Sequence, residues 1–198
     1  CDVVTFSWQK VMGSEAAHVM LILSPRAVER LETYTPPWPL PKIFRMTKGG
    51  KINEGIFKGA TINTPSMLAT EDYIEALEWA KSIGGTQAML DRADANAQII
   101  WDWIAVTPWI KNLAANENER SNTGVCMVFD DARIKDEAAF AKAFVALLGE
   151  EGVALDFGAY RDAPAGLRIW AASAIDGQNI KDLLPWLDWA FETLIAKA

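Results

Sequence analysis

Val3-Val4-Thr5-Phe6-Ser7-Trp8-Gln9-Lys10 is the stretch on which the fold reading turns. Its apolar first half reads as a buried strand. Gly13-Ser14-Glu15 then marks a turn, and Val19–Leu23 forms a second apolar run. Two strands, 2–7 and 18–23, are therefore expected, joined by the loop Gln9–Ala17. Lys10 stands at the tip of the first, where an ammonium loses hydration. Three arrangements relieve that cost. A partner can neutralise the charge, the head can snorkel to water, or the amine can become an imine with an aldehyde cofactor. The residues alone leave these three open.

Outward from this segment, Ser24-Pro25 predicts a helix start, with Ser as N-cap and Pro in the first turn, and the helix continues through Ala27–Tyr34. Pro36-Pro37-Trp38-Pro39-Leu40-Pro41 has four prolines in six residues. It can join neither a helix nor an interior strand and reads as a stiff, extended connector. Residues 42–64, rich in Gly and Lys, read as an irregular surface loop with a short hairpin. Asn63-Thr64-Pro65 leads into a helix carrying Tyr73, Ile74, Leu77, Trp79 and Ala80, which Gly84-Gly85 ends. Thr86 is the expected N-cap of a long helix to Thr107, with Leu90, Ile99, Ile100, Trp103 and Ile104 as core candidates.

The last third changes character. Strands are expected at Val125–Phe129, Val153–Phe157 and Leu167–Ala172. Helices are expected at Lys135–Leu148, with Phe140, Phe144 and Leu148 at four-residue spacing, and at Ile180–Ile195, which contains Pro185. This order describes a small α+β sandwich with helices on one sheet face. The boundary is placed at Gly84-Gly85, giving domains 1–84 and 85–198.

The chain has 198 residues, 51% of them hydrophobic, enough for a substantial core. No apolar run approaches a membrane span. Cys1 and Cys126 show neither metal nor disulfide spacing, so a soluble, cytoplasmic protein is expected. With His18 the only histidine, no His-based zinc site can form. The net charge of −7 argues against a nucleic-acid partner. Residues 1–60 nevertheless carry eight Lys/Arg against five Asp/Glu. That suits an anionic ligand such as a phosphate, or a solvated face with a chance excess of cations.

Ser7-Trp8-Gln9-Lys10-Val11, with Gly13, Glu15 and Ala16-Ala17-His18 behind it, is followed by Leu21-Ile22-Leu23-Ser24-Pro25-Arg26. Ile62-Asn63-Thr64-Pro65 and Tyr160-Arg161-Asp162-Ala163-Pro164-Ala165-Gly166-Leu167-Arg168-Ile169-Trp170 follow in order. Together these segments resemble phosphoserine aminotransferases, pyridoxal-phosphate enzymes of the aspartate-aminotransferase-like α/β fold, in the form found in alpha-proteobacteria and some archaea. The family's chains are much longer, so the expectation is a C-terminal portion, the end of the large domain followed by a small α+β domain.

The resemblance implies pyridoxal 5'-phosphate as cofactor. Lys10 would be its covalent anchor and the general acid/base that moves the substrate proton. It further implies Gln9 on the cofactor phosphate, Ser7 as a weaker candidate, and Asn63 and Thr64 reaching the same phosphate from the other subunit of a homodimer. Arg168 would hold the substrate α-carboxylate through its planar fork. Arg161 would hold the substrate phosphate, but Tyr160-Arg161 stands where the family carries His-Arg. The implied reaction moves an amino group between glutamate and 3-phosphohydroxypyruvate, making phosphoserine for serine biosynthesis. Two other readings stay open. One is a relative of serine–pyruvate or alanine–glyoxylate type; the other is a non-catalytic fragment lacking the rest of its site.

Overall fold

The computed structural model describes residues 1–197. Contacts gather the chain into two units, Cys1–Glu78 and Trp79 onward, each described here by itself.

In the first unit, β1 (Val3–Ser7) and β2 (Val19–Leu23) pair antiparallel, with Val3 opposite Leu23 and Ser7 opposite Val19. The expected strands are present, but they are not buried. Val3 is 55% exposed, Val19 63% and Ile22 55%. The physical reason is that β1 and β2 form a sheet of only two strands, which leaves apolar side chains uncovered on a ribbon this narrow. Helix α1 (Pro25–Thr33) starts as expected. Ser24 Oγ accepts a hydrogen bond from the Ala27 N–H at 3.1 Å and donates to Asp2 Oδ1 at 2.8 Å. Arg26 also holds Asp2, and together the guanidinium and the Ser24 hydroxyl keep that carboxyl below the usual range.

Beyond the proline stretch, β3 (Thr47–Lys48) and β4 (Lys51–Ile52) form a minimal hairpin. Its two-residue turn, Gly49-Gly50, has φ of 62° and 77°, the left-handed pair that only glycine adopts without cost. Glu32 anchors it, accepting from Lys51 Nζ at 2.8 Å and the Ile52 N–H at 3.0 Å. Helix α2 (Met67–Ser82) follows. Its start is held by Ser66, whose Oγ accepts from the Ala69 N–H at 3.3 Å, a cap the sequence reading passed over in favour of Pro65.

Helix α3 (Gly85–Val106) opens the second unit's core. Its N-cap is Gly84, at φ 117°, not Thr86, because only Ile83 and Gly84 separate it from α2 and leave no extended residue to cap with. Its buried stripe runs through Ala93, Asn96, Ala97, Ile100, Trp103 and Ile104, whereas Leu90 is 50% exposed. Strands β5 (Ile110–Asn112), β6 (Gly124–Phe129) and β7 (Gly166–Trp170) form an antiparallel sheet in that order. The three-residue β5, directly after Pro108 and Trp109, was not foreseen.

Alternate residues of β6 (Val125, Met127, Phe129) and of β7 (Leu167, Ile169) join a single apolar cluster. Helices α3, α4 (Glu137–Glu150) and α5 (Gly177–Ile195) complete it, Phe144, Leu148, Leu187 and Phe191 being fully buried. Trp109 stacks on Phe191, centroids 4.4 Å apart and planes at 8°. Pro185 lies inside α5. Asn96, buried in α3, donates to the carbonyls of Ala171, Ala172 and Ile175 at 3.0–3.3 Å and so pins the β7–α5 connection.

The strand expected at Val153–Phe157 does not form. Asp156 adopts φ 50°, the only non-glycine with positive φ among the described residues, and this breaks the extended run. What remains of pairing is one bridge, Gly158 to Leu167, made by the Arg168 N–H donating to the Phe157 carbonyl at 2.9 Å and the Ala159 N–H donating to the Gly166 carbonyl at 3.3 Å. At Gly166 a Cβ would lie 2.0 Å from the Met127 carbonyl oxygen, so the β6–β7 contact there admits only glycine. Among the described residues, no helix is long and apolar enough to cross a membrane.

Candidate active site

Lys10 sits in a turn three residues beyond the end of β1, and its side chain is exposed. It is not at a buried strand tip; the chain leaves the ribbon at Ser7 and bends back through the Gly13 N–H to Lys10 carbonyl bond at 2.9 Å. Among the described residues, no carboxylate pairs with its ammonium. The turn is nevertheless held firmly. Ser14 is buried, donates its hydroxyl to Asp72 Oδ2, and its N–H donates to the Trp8 carbonyl at 3.2 Å. The Glu15 N–H donates to the same Asp72 oxygen at 2.7 Å. The Ser14 hydroxyl, and after it the Glu15 N–H, holds the Asp72 carboxyl below the usual range.

One residue along α2, Tyr73 stacks on Trp8, centroids 4.2 Å apart and planes at 3°; burial pushes its phenol up. His18 meets the other side of the cluster, edge to the Trp8 ring at 4.9 Å. The pair Asp72-Tyr73 thus grips both arms of the Lys10 turn. Sequence reasoning counted Tyr73 only as apolar face and passed over Asp72, because neither lies near Lys10 in the chain. His18 packs on Trp8 as a structural residue, but its Nε2 is buried without a hydrogen-bond partner, so it is not the satisfied histidine the sequence suggests.

Gln9 is half-buried, and its side-chain Oε1 is enclosed without a hydrogen-bond partner. An unsatisfied amide oxygen is costly, so this carboxamide is uncommitted. Asn63 and Thr64 lie in the irregular segment before α2, which bends at Ile62-Asn63, and both are exposed; the Asn63 carbonyl accepts from Thr61 Oγ1 at 2.6 Å.

In the second unit, Arg168 lies between Leu167 and Ile169 of β7. Those two enter the core, so Arg168 projects from the opposite sheet face. Its guanidinium stands 4.3 Å from the Tyr160 ring centre. Nη1 donates to the Tyr160 hydroxyl at 3.2 Å, Nη2 donates to Asp156 Oδ2 at 3.0 Å, and Nε is buried without a partner. Arg161 is exposed in the turn before β7 and pairs with no described carboxylate. Lys10 and Gln9 are neighbours on one turn; Arg168 and Tyr160 are in contact; Arg161 follows Tyr160 in the chain and shares no hydrogen bond with that pair.

No family model matches the chain. Among curated proteins, it is 51% identical over 191 residues to the phosphoserine aminotransferase of Methanosarcina mazei and 52% identical over 190 residues to that of Methanosarcina barkeri. Each match takes in 96% of this chain and 50% of the relative, so the chain spans about half the length of the curated relatives it matches. Among solved structures, a phosphoserine aminotransferase from Cytophaga hutchinsonii superposes with a TM-score of 0.74 at 17% identity, over 95% of this chain and 49% of that one. A PLP-bound phosphoserine aminotransferase from Trichomonas vaginalis gives 0.71 at 19%, over 94% and 48%. An alanine–glyoxylate aminotransferase from Nostoc sp. gives 0.71 at 16%, over 96% and 48%. At these identities the structural likeness establishes the fold: the α/β fold of the aminotransferases, over about half of its extent.

Proposed function

We propose that this chain carries the lysine portion of a phosphoserine aminotransferase, exchanging an amino group between L-glutamate and 3-phosphohydroxypyruvate in serine biosynthesis. The observation that carries this reading is the 51% identity over 191 residues, 96% of this chain, to an enzyme of that name. In this reading residues 1–84 are the end of the large cofactor-binding domain and residues 85–198 the small C-terminal domain of a cytoplasmic homodimer.

The donor set of the first unit fits pyridoxal 5'-phosphate. Lys10 is an accessible amine on a braced turn, and Gln9 is a carboxamide without a committed partner on its oxygen. Asn63 and Thr64 add exposed neutral donors suited to a phosphate. When bound, the cofactor supplies an aldehyde for the lysine and a ring that accepts electrons. Lys10 would be the residue that holds the cofactor, and its free amine would be the group that carries a proton at the reacting carbon. The Asp72-Tyr73 grip fixes the backbone turn from which the Lys10 side chain extends. Asn63 and Thr64 serve the phosphate of the neighbouring subunit's site. Arg168 receives the α-carboxylate common to both amino-acid substrates. Arg161, exposed and unpaired, receives the phosphate that distinguishes phosphoserine from glutamate.

Borohydride reduction of the holoenzyme followed by peptide mapping tests the anchor. A pyridoxyl mass on Lys10 is expected, and the same mass on another lysine overturns the reading. Mixing inactive Lys10→Ala and Asn63→Ala/Thr64→Ala proteins tests the shared site, since subunit exchange restores one intact site per heterodimer. No recovery after demonstrated exchange places both elements in one subunit's site. Arg161→Ala should depress kcat/KM for phosphoserine far more than for glutamate. Equal losses would favour a non-phosphorylated substrate of the alanine–glyoxylate type.

A further inference from the structure

We propose that Asp156 and Tyr160 complete the carboxylate-recognition site around Arg168, with Tyr160 setting the plane of the guanidinium and Asp156 occupying its outer edge as a counter-ion that the substrate carboxylate displaces. This rests on the reading of Arg168 as the carboxylate residue.

Three observations converge. The Arg168 Cζ lies 4.3 Å from the Tyr160 ring centre, and the Tyr160 hydroxyl accepts from Nη1 at 3.2 Å. A guanidinium held against the ring and bonded at one corner in this way is restrained in orientation, which a two-point grip on a carboxylate requires. Asp156 meets it through a single contact, Nη2 to Oδ2 at 3.0 Å, while Nε has no partner at all. The Asp156 side chain is 92% exposed and that of Arg168 only 16%. The carboxylate is therefore the member of the pair that can leave for water at little cost; exposed ion pairs of this kind are weak. An incoming carboxylate taking two N–H groups outbids a residue that takes one.

The backbone adds the third observation. Asp156 stands at φ 50°, and this is why the strand expected at Val153–Phe157 is broken. A left-handed residue at a functional edge is where local rules are set aside. Here the bend turns an aspartate toward Arg168 at a place where a regular strand would continue along β7. Asp is among the few residues that adopt this conformation readily, and Asn and Gly are others. The pair thus shields the arginine from stray anions when substrate is absent and yields to a carboxylate presented in the plane that Tyr160 defines.

The test is the inhibition constant of glutarate, a dicarboxylate without an amino group, on the holoenzyme, together with KM for glutamate and for phosphoserine. Asp156→Asn and Asp156→Gly both keep the left-handed backbone, so both fold. Each should tighten glutarate and lower both KM values by about 2–5-fold, the range of an exposed ion pair. Tyr160→Ala should weaken glutarate, and Tyr160→Phe, which keeps the stacked face, should restore most of the loss. Unchanged or weakened glutarate binding in both Asp156 variants overturns the displacement proposal. Arg168→Lys separates this from failure of the underlying reading. If it leaves glutarate binding intact, Arg168 is not the carboxylate residue. If it weakens binding while the Asp156 variants do nothing, only the counter-ion proposal falls.

Discussion

Phe6 and Phe144 both read from the sequence as core residues, yet Phe6 is 42% exposed and Phe144 is fully buried. The difference belongs to their surroundings. Phe6 lies on β1, whose only strand neighbour is β2, and a ribbon of two strands has no second layer to close over it. Phe144 lies on α4, against a three-stranded sheet with α3 and α5 in the same apolar cluster. The first unit is ordered instead by polar ties at its turns: Asp2 with Ser24 and Arg26, Glu32 with the β3–β4 hairpin, Asp72 with the Lys10 turn. An apolar pattern specifies which residues seek burial, and only the number of layers decides which of them obtain it.

The sharpest way to break this contrast is to separate the units. Residues 79–198 expressed alone should show one cooperative unfolding transition by circular dichroism. Residues 1–78 alone should show none and should bind a hydrophobic dye. A cooperative transition in the first fragment would mean that its ribbon buries more than it exposes here. Point substitutions give a graded version. In chemical denaturation of the second unit, Phe144→Ala should cost about 3–5 kcal/mol, the usual range for emptying a buried aromatic site. Phe6→Ala should change stability by less than about 1 kcal/mol, as for surface positions.

A smaller effect is expected in the hairpin turn. Gly50→Ala forces a side chain into φ 77° at a site with open space around it, so strain is the only cost, about 1 kcal/mol. It should appear as faster hydrogen exchange at Ile52, whose N–H is tied to Glu32 at 3.0 Å.

The smallest effect compares one carboxylate from each unit. Arg133 holds Asp131 down to about 2, and Ser14 with the Glu15 N–H lowers Asp72. A depressed carboxyl stabilises the fold above its unfolded pKa of about 4, and that contribution is lost as pH falls through the folded value. Asp131→Asn and Asp72→Asn should therefore lower stability slightly at neutral pH and flatten its decline on acidification, toward about pH 2 for Asp131. Denaturant midpoints measured across that range check both, and an unchanged acid slope in either variant would remove its carboxylate from the pH dependence.

Local chemistry was legible in the sequence where one short segment contains both partners. Ser24-Pro25 started α1 as read, the glycines at 84 and 85 marked the break after α2, and the apolar run Val125–Phe129 marked β6. The candidate site residues Gln9, Lys10, Asn63, Thr64, Arg161 and Arg168 could be named because they stand in short contiguous motifs. Their supports could not. Asp72 and Tyr73 lie about sixty residues from the turn they brace, and Asp156 lies twelve from Arg168 across a break in the chain direction that a propensity pattern does not encode. The sequence alone determined the helices, most of the strands and the chemical groups, because propensity, capping and hydrophobic period act within a few residues. Burial of β1, loss of the strand at Val153–Phe157 and the partners of Arg168 were decided by tertiary structure, because each depends on which distant segment arrives to cover, pair with or neutralise it.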